Sequence, residues 1–302
     1  MALGYEGKLY ILAFDHRGSF QKKMFGITGD PSPEETERIS DAKRVIFEGF
    51  KRALEEGAPK DAAGILVDEQ FGASAAREAK SVGYILAMPV EKSGQDEFDF
   101  EYGEEFGSHI EQFDPTFTKV LVRWNPEGDQ DMNRGQGDRL KRLSDWLHER
   151  DRKFLFELLV PATDAQLESV GGDSDRYDKE LRPELMRQTI EQIQSAGIEP
   201  DIWKIEGLDK REDCEAVAAL VRSGGREDVA CVVLGRGADD SAVDHWLRQG
   251  AGVPGYVGFA IGRTIWWDAL KGTLDGSLPR EDAAKQIATN YRRFIDVYES
   301  AS

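Results

Sequence analysis

The chemistry-bearing residues of this chain gather at the ends of short apolar runs. The sixth run, Asp201-Ile202-Trp203-Lys204-Ile205-Glu206, holds one lysine. An amine packed between Trp203 and Ile205 is partly stripped of water, which favours its neutral form and frees it to attack a carbonyl. That is the requirement for a Schiff-base lysine. Taken alone, a lysine at a strand end more often snorkels into solvent or pairs with a neighbour such as Glu206. Other charges turn the balance. Asp15 and Arg17 follow the first run, Asp68 and Glu69 the second; Lys119 and Arg123 lie on the fourth, Glu157 on the fifth, Arg236 follows the seventh and Arg263 the eighth. Charged groups buried at so many strand ends are costly without a purpose. Lys119, Glu157 and Lys204 sit within apolar runs, where a carboxylate beside two amines can shuttle protons. Arg236 follows Gly235 and Arg263 follows Gly262 at consecutive strand ends, where glycine admits backbone N–H groups to an anion. These four residues form the candidate phosphate site, with Arg17 and Asp68 as further substrate contacts.

The elements that must position these groups follow from the hydrophobic pattern. The runs are Leu9 to Phe14, Gly64 to Val67, Tyr84 to Met88, Phe117 to Val122, Phe154 to Val160, Ile202 to Ile205, Val229 to Leu234 and Tyr256 to Ile261. Continuous rather than alternating apolar strands imply burial on both faces, as in a parallel sheet. Helical segments separate them. Ser32-Pro33-Glu34-Glu35 reads as a capping box opening a helix that runs to about Glu56 and stops at Gly57. Further helices are expected over Arg139 to Arg150, Glu180 to Ala196, Asp213 to Arg222, Ser241 to Gln249, Trp266 to Leu270 and Arg280 to Tyr298. Eight strands alternating with helices predict a (β/α)8 TIM barrel, with residues 1–302 as one domain. A doubly wound open sheet would favour a glycine-rich loop after the first strand, and Asp15-His16-Arg17-Gly18 is not one. Long loops are expected over His16 to Pro33, Asn125 to Asp138 and Pro161 to Lys179, all on the face after the strands. The stretch from Pro89 to Pro115 carries no clear pattern.

Composition narrows the partners. The 302 residues carry a formal charge of −18, which repels polyanions and argues against nucleic acid, so an anionic substrate must meet a local cluster of cations. Neither a signal peptide nor a membrane span is legible, and the two cysteines form no CxxC spacing, so a cytoplasmic, reducing location is expected. The four histidines, His16, His109, His148 and His245, lack ligand spacing, and no metal or other cofactor is expected.

With those residues in view, a family likeness emerges. Ala13-Phe14-Asp15-His16-Arg17-Gly18, Val67-Asp68-Glu69-Gln70-Phe71-Gly72, Lys119-Val120-Leu121-Val122, Phe156-Glu157-Leu158, Trp203-Lys204-Ile205-Glu206 and Gly262-Arg263-Thr264-Ile265-Trp266 resemble, in order and spacing, the class I aldolases of the tagatose-bisphosphate type. The resemblance is nearer still to the aldolase-like C-terminal module, once a domain of unknown function, fused behind the kinase in inositol-catabolism 5-dehydro-2-deoxygluconokinase proteins. It implies that Lys204 forms the imine, that Glu157 and Lys119 assist proton transfer, that Asp15 orients a lysine or a substrate hydroxyl, and that Gly262-Arg263 holds phosphate. Two departures touch the substrate end: Glu69-Gln70 replaces a Pro-Glu, and Gly235-Arg236-Gly237 replaces a Ser-Ala-Gly. The expectation is a lyase that cleaves a phosphorylated keto sugar or keto sugar acid, such as 2-deoxy-5-keto-gluconate 6-phosphate, to dihydroxyacetone phosphate and an aldehyde. Tagatose-bisphosphate and sulfosugar-phosphate aldolases are alternatives, as is a non-catalytic sugar-phosphate-binding regulator. The expected partner is a small-molecule sugar phosphate, with no nucleic acid and no membrane; a homo-oligomer stays open.

Overall fold

The computed structural model describes residues 3–302, and its eight parallel strands close into one barrel in sequence order. These are β1 (Leu9–Ala13), β2 (Ala63–Leu66), β3 (Ile85–Pro89), β4 (Phe117–Arg123), β5 (Lys153–Leu159), β6 (Ile202–Glu206), β7 (Ala230–Leu234) and β8 (Tyr256–Ile261). The predicted TIM barrel is what forms, and each strand lies close to its apolar run. Two buried clusters explain why the runs are continuous. Leu9, Ile11, Phe117, Leu155, Ile202 and Val232 fill the barrel interior, while their neighbours Tyr10, Leu12, Val120, Phe154, Phe156 and Trp203 pack outward beneath the helices. A strand that is dry on both faces has no reason to alternate.

The interior column then carries polar groups upward from this apolar floor. On β4 the inward parity runs Phe117, Lys119, Leu121, Arg123; on β5 it runs Leu155, Glu157, Leu159; on β6 it runs Ile202, Lys204, Glu206. Glu157 is the register partner of Lys204 across β5 and β6, so the two side chains leave adjacent strands at one height.

The first long helix, Pro33–Glu55, begins with the expected capping box on Ser32 and Glu35. Three regions differ from expectation. Residues 130–138, read as loop, form the start of the helix Gln130–His148; Asp129 caps it by accepting from the Asp131 and Met132 amides. Two glycines and a polar first turn had hidden its periodicity. The helix Glu69–Val82, capped by Asp68, escaped notice because small alanines supply most of its buried face. The unreadable stretch after β3 makes an antiparallel bridge from Glu91 to Phe100, then a helix, Phe106–Phe113. Short helices, Gly18–Phe25 and Asp164–Ser169, also occupy two of the expected long loops. Among the described residues no helix is long and apolar enough to cross a membrane.

The lower end of the barrel is tied by Asp201. Fully buried at the entry to β6, its carboxylate accepts from the Gly4 amide (2.8 Å), the Phe154 amide (2.8 Å) and Lys153 Nζ (2.9 Å), with His148 Nε2 at 3.3 Å. Burial pushes its carboxyl upward, but these bonds hold it below the ordinary carboxylate value. Replacing Asp201 by alanine strands buried donors, so Asp201→Ala is expected to lower unfolding free energy by about 3 kcal/mol at pH 7. Because the folded-state value is depressed, the stabilisation is full above the unfolded aspartate value of about 4 and is lost as pH falls through the lower folded value. Urea titrations at pH 7 and pH 3 measure this. A loss below about 0.5 kcal/mol at pH 7 would mean that Asp201 does not tie this end of the barrel.

Candidate functional site

At the upper mouth of the barrel, beyond the carboxyl ends of the strands, lies a cavity of about 600 Å³. The other large hollow, about 670 Å³, lies on the surface and is lined by charges such as Arg280 and Glu48 that pair with each other. The barrel cavity is different: lysines and arginines outnumber carboxylates along its lining, although the chain as a whole is strongly acidic.

Lys119 stands at its centre. Only 1% exposed, its Nζ donates to Asp15 Oδ2 (2.9 Å) and Glu91 Oε1 (2.8 Å) and pairs with Glu157 Oε2 (2.9 Å). The second Glu157 oxygen lies 3.0 Å from Lys204 Nζ. One carboxylate thus bridges two buried amines. Burial pulls the Lys119 ammonium toward neutrality, but Asp15, Glu157 and Glu91 outweigh it and hold its pKa above the ordinary lysine value. Burial likewise opposes charge on Asp15 and Glu157, yet Lys119 in both cases, with His16 and Lys204 at Asp15 and Lys204 at Glu157, keeps them below the usual range. Glu91 goes the other way: burial outweighs Lys119 and Arg17, its carboxyl is raised, and its Oε2 has no hydrogen-bond partner among the described residues.

Glu91 was missed from the sequence. It lies two and four residues beyond Pro89 and Ala87 on the inward parity of β3, so carrying the period of two past the proline would have found it.

The structure brings Asp15, Lys119, Glu157, Lys204, Gly235, Arg236, Gly262 and Arg263 to this one cavity. Arg17 lines it too, but its guanidinium is engaged by the Glu91 carbonyl (2.6 Å) and Glu101 Oε2 (2.9 Å), with Glu91 Oε1 at 3.6 Å. It clamps the segment after β3 rather than facing an incoming anion. Asp68 is not at the cavity. Fully buried, it caps its helix through the Phe71 amide and pairs with Lys43, which also donates to the carbonyls of Phe14 (2.8 Å) and His16 (3.0 Å). It therefore pins the segment that carries Asp15, a positioning role in place of the expected substrate contact.

The two Gly-Arg steps also separate. Arg236 adopts a left-handed φ of 52° and is neutralised by Asp178 (2.5 Å) and Glu206 (3.1 Å). Arg263 opens the helix Arg263–Leu274, donates to the Arg236 carbonyl (2.9 Å) and has no carboxylate partner among the described residues. The first amides of that helix receive no side-chain cap, and Gly262 is required there because a Cβ would lie 2.4 Å from the Ala13 carbonyl oxygen. Uncapped amides beside a free guanidinium form an anion-binding arrangement. Among the described residues no three His, Cys, Asp or Glu side chains are grouped to hold a metal ion.

Residues 4–302 match the model of a family described as "Uncharacterized protein conserved in bacteria (DUF2090)". No curated protein sequence matches. Among solved structures, a Schiff base-forming fructose-1,6-bisphosphate aldolase aligns over 95% of this chain and 94% of its own, at 14% identity and a TM-score of 0.57. Cgl0159 of Corynebacterium glutamicum aligns over 97% and 88%, at 17% identity and a TM-score of 0.56. At such identities these likenesses speak for the fold.

His16 reports on the cavity's field. Its ring is only 26% exposed, Nδ1 lacks a hydrogen-bond partner among the described residues, and Asp15 is 3.9 Å away. Burial lowers its pKa to about 4, against the pull of Asp15 and with Arg263, Lys204 and Lys43 adding to the fall. His16 is therefore expected to remain neutral at pH 6 and to protonate with a midpoint near 4 in an imidazole NMR titration; Arg263→Ala should move that midpoint upward. An ordinary midpoint near 6.5 would mean that the cavity is well solvated.

Proposed function

The chain belongs to the DUF2090 family, and we propose that it is a class I aldolase acting on a phosphorylated keto sugar or keto sugar acid. The observation that carries this reading is the unequal treatment of two buried lysines around one glutamate. Lys119 is locked as an ammonium by three carboxylates, whereas among the described residues Lys204 pairs with Glu157 alone, a partner that can receive its proton. Lys204 is the nucleophile and Lys119 the fixed charge. The Schiff-base chemistry named for the structurally similar fructose-bisphosphate aldolase supports the same assignment.

The steps follow from that division of labour. Lys204 passes a proton to Glu157, and its nitrogen adds to the substrate ketone; loss of water leaves a protonated imine. A base then removes the proton from the hydroxyl beside the scissile bond. The carbon–carbon bond breaks, its electron pair moves into the iminium as an enamine, and an aldehyde departs. Protonation of the enamine carbon and hydrolysis release the ketone and restore the amine. Glu157 moves these protons, and Lys119 stabilises its ionised form at each return. Asp15 is held by Lys119 where it can orient a substrate hydroxyl. Arg263 and the uncapped helix amides take the phosphate, so binding far from the reacting bond positions the ketone over Lys204. Candidates include 2-deoxy-5-keto-gluconate 6-phosphate, giving dihydroxyacetone phosphate and malonate semialdehyde, with tagatose-bisphosphate and a sulfosugar phosphate as the others.

Borohydride reduction in the presence of dihydroxyacetone phosphate is expected to leave a triose on Lys204, and Lys204→Met should abolish both adduct and turnover while the protein stays folded. Mass spectrometry that finds the adduct on Lys119, or none at all, would overturn the assignment. Separately, Arg263→Ala should lower kcat/KM for a phosphorylated substrate by roughly tenfold to a thousandfold, with less effect on an unphosphorylated analogue. Equal losses on both substrates would make Arg263 structural and put the phosphate elsewhere.

A further inference from the structure

We propose that Arg123 binds a second anionic group of the substrate, at the end of the molecule remote from Arg263; this rests on the aldolase reading above. Arg236 at the mouth already faces Asp178 and Glu206, and Arg17 already faces Glu91 and Glu101. Arg123 is different. It lines the cavity and has no carboxylate partner among the described residues; its Nη1 donates to the Gln95 carbonyl at 2.7 Å. That one bond orients the guanidinium and leaves further donors for a ligand. Glu97, the acidic side chain of the same loop at the cavity, is engaged by Arg139. The anchor is itself held, because the Glu91–Phe100 bridge and the Arg17–Glu101 pair fix the loop that presents Gln95.

Position in the barrel makes the pairing specific. Strands β4 and β8 stand on opposite sides of the closed ring, and β6 lies two strands from each. Arg123 ends the inward column of β4, Arg263 follows β8, and Lys204 is on β6. A linear ketose whose carbonyl reaches Lys204 and whose phosphate reaches Arg263 runs its far end toward β4. A half-buried guanidinium left unneutralised there, in an acidic protein, favours a substrate whose far end is anionic. The geometry thus selects ketoses with acidic groups at both ends, and after cleavage the aldehyde product carries the second one. Phosphate and carboxylate share the required chemistry, and a guanidinium accepts either in a bidentate fashion.

The test runs the reaction in the condensation direction. Wild-type protein is first treated with dihydroxyacetone phosphate and borohydride to establish triose attachment at Lys204. The acceptors glyceraldehyde 3-phosphate and malonate semialdehyde are then compared with neutral glyceraldehyde. Wild type should prefer an anionic acceptor, the better of the two identifying phosphate or carboxylate. In Arg123→Gln that preference, as a ratio of kcat/KM values, should fall by about tenfold or more, mainly through KM, and Arg123→Lys should restore part of it. A wild type without anionic preference, or a ratio unchanged in Arg123→Gln, overturns the Arg123 site and leaves imine chemistry standing. Equal losses on charged and neutral acceptors make the residue structural and also overturn it. Absence of a trapped triose in wild type removes the aldolase reading and this proposal together.

Discussion

The ammonium of Lys119 is the interaction on which the rest of the cavity depends. Asp15, Glu91 and Glu157 come from three different strand ends and converge on one nitrogen within 2.9 Å. Without that charge, three buried carboxylates would face one another in a poorly solvated space, and protonation or displacement would relieve them. With it, Asp15 and Glu157 are held below the usual carboxylate range, while at Glu91 burial outweighs it and raises the carboxyl. The same charge frees Lys204 from structural duty. In the proposed reaction a fixed cation and a reactive amine are both needed, and one glutamate between them lets the protein use the same side-chain type for both.

Pairing also explains how a strongly acidic chain presents a cationic cavity. Many of its arginines and lysines are matched to acids on neighbouring elements, as Arg280 is to Glu48 and Asp41, or Arg236 to Asp178 and Glu206. Charge becomes available for a ligand only where the matching acid is missing. Arg263 and Arg123 meet that condition on opposite walls, so the pattern of absent partners, more than the number of cations, describes the ligand that would fit.

Precision at the mouth comes from structure just outside it. Lys43 and Asp68 are both dry, and Lys43 reaches two carbonyls of the segment after β1, so Asp15 is held by a buried ion pair that never touches the cavity. Arg17 does the same for the segment after β3. Trp266, donating to the Ala13 carbonyl at 2.9 Å, links the helix that Arg263 opens back to β1. These contacts make the strand exits rigid, which a constellation assembled from several loops requires.

The strands were legible in the sequence because burial on both faces leaves continuous apolar runs, and eight of these separated by helical stretches admit few architectures. Lys119, Glu157 and Lys204 were legible for a related reason: a charge inside such a run is conspicuous, and strand parity aims it inward. The sequence by itself also determined the helix Pro33–Glu55, whose capping box is a purely local device. Pairing was decided only by tertiary structure. Arg17, Asp68 and Arg236 each carry the right chemistry at the right end of a strand, yet whether such a group meets a ligand depends on which counter-charge folds against it. Those partners, Glu101, Lys43, Asp178 and Glu206, lie 25 to 84 residues away along the chain. Coulombic attraction is set by distance in space, and sequence spacing carries no measure of that across loops.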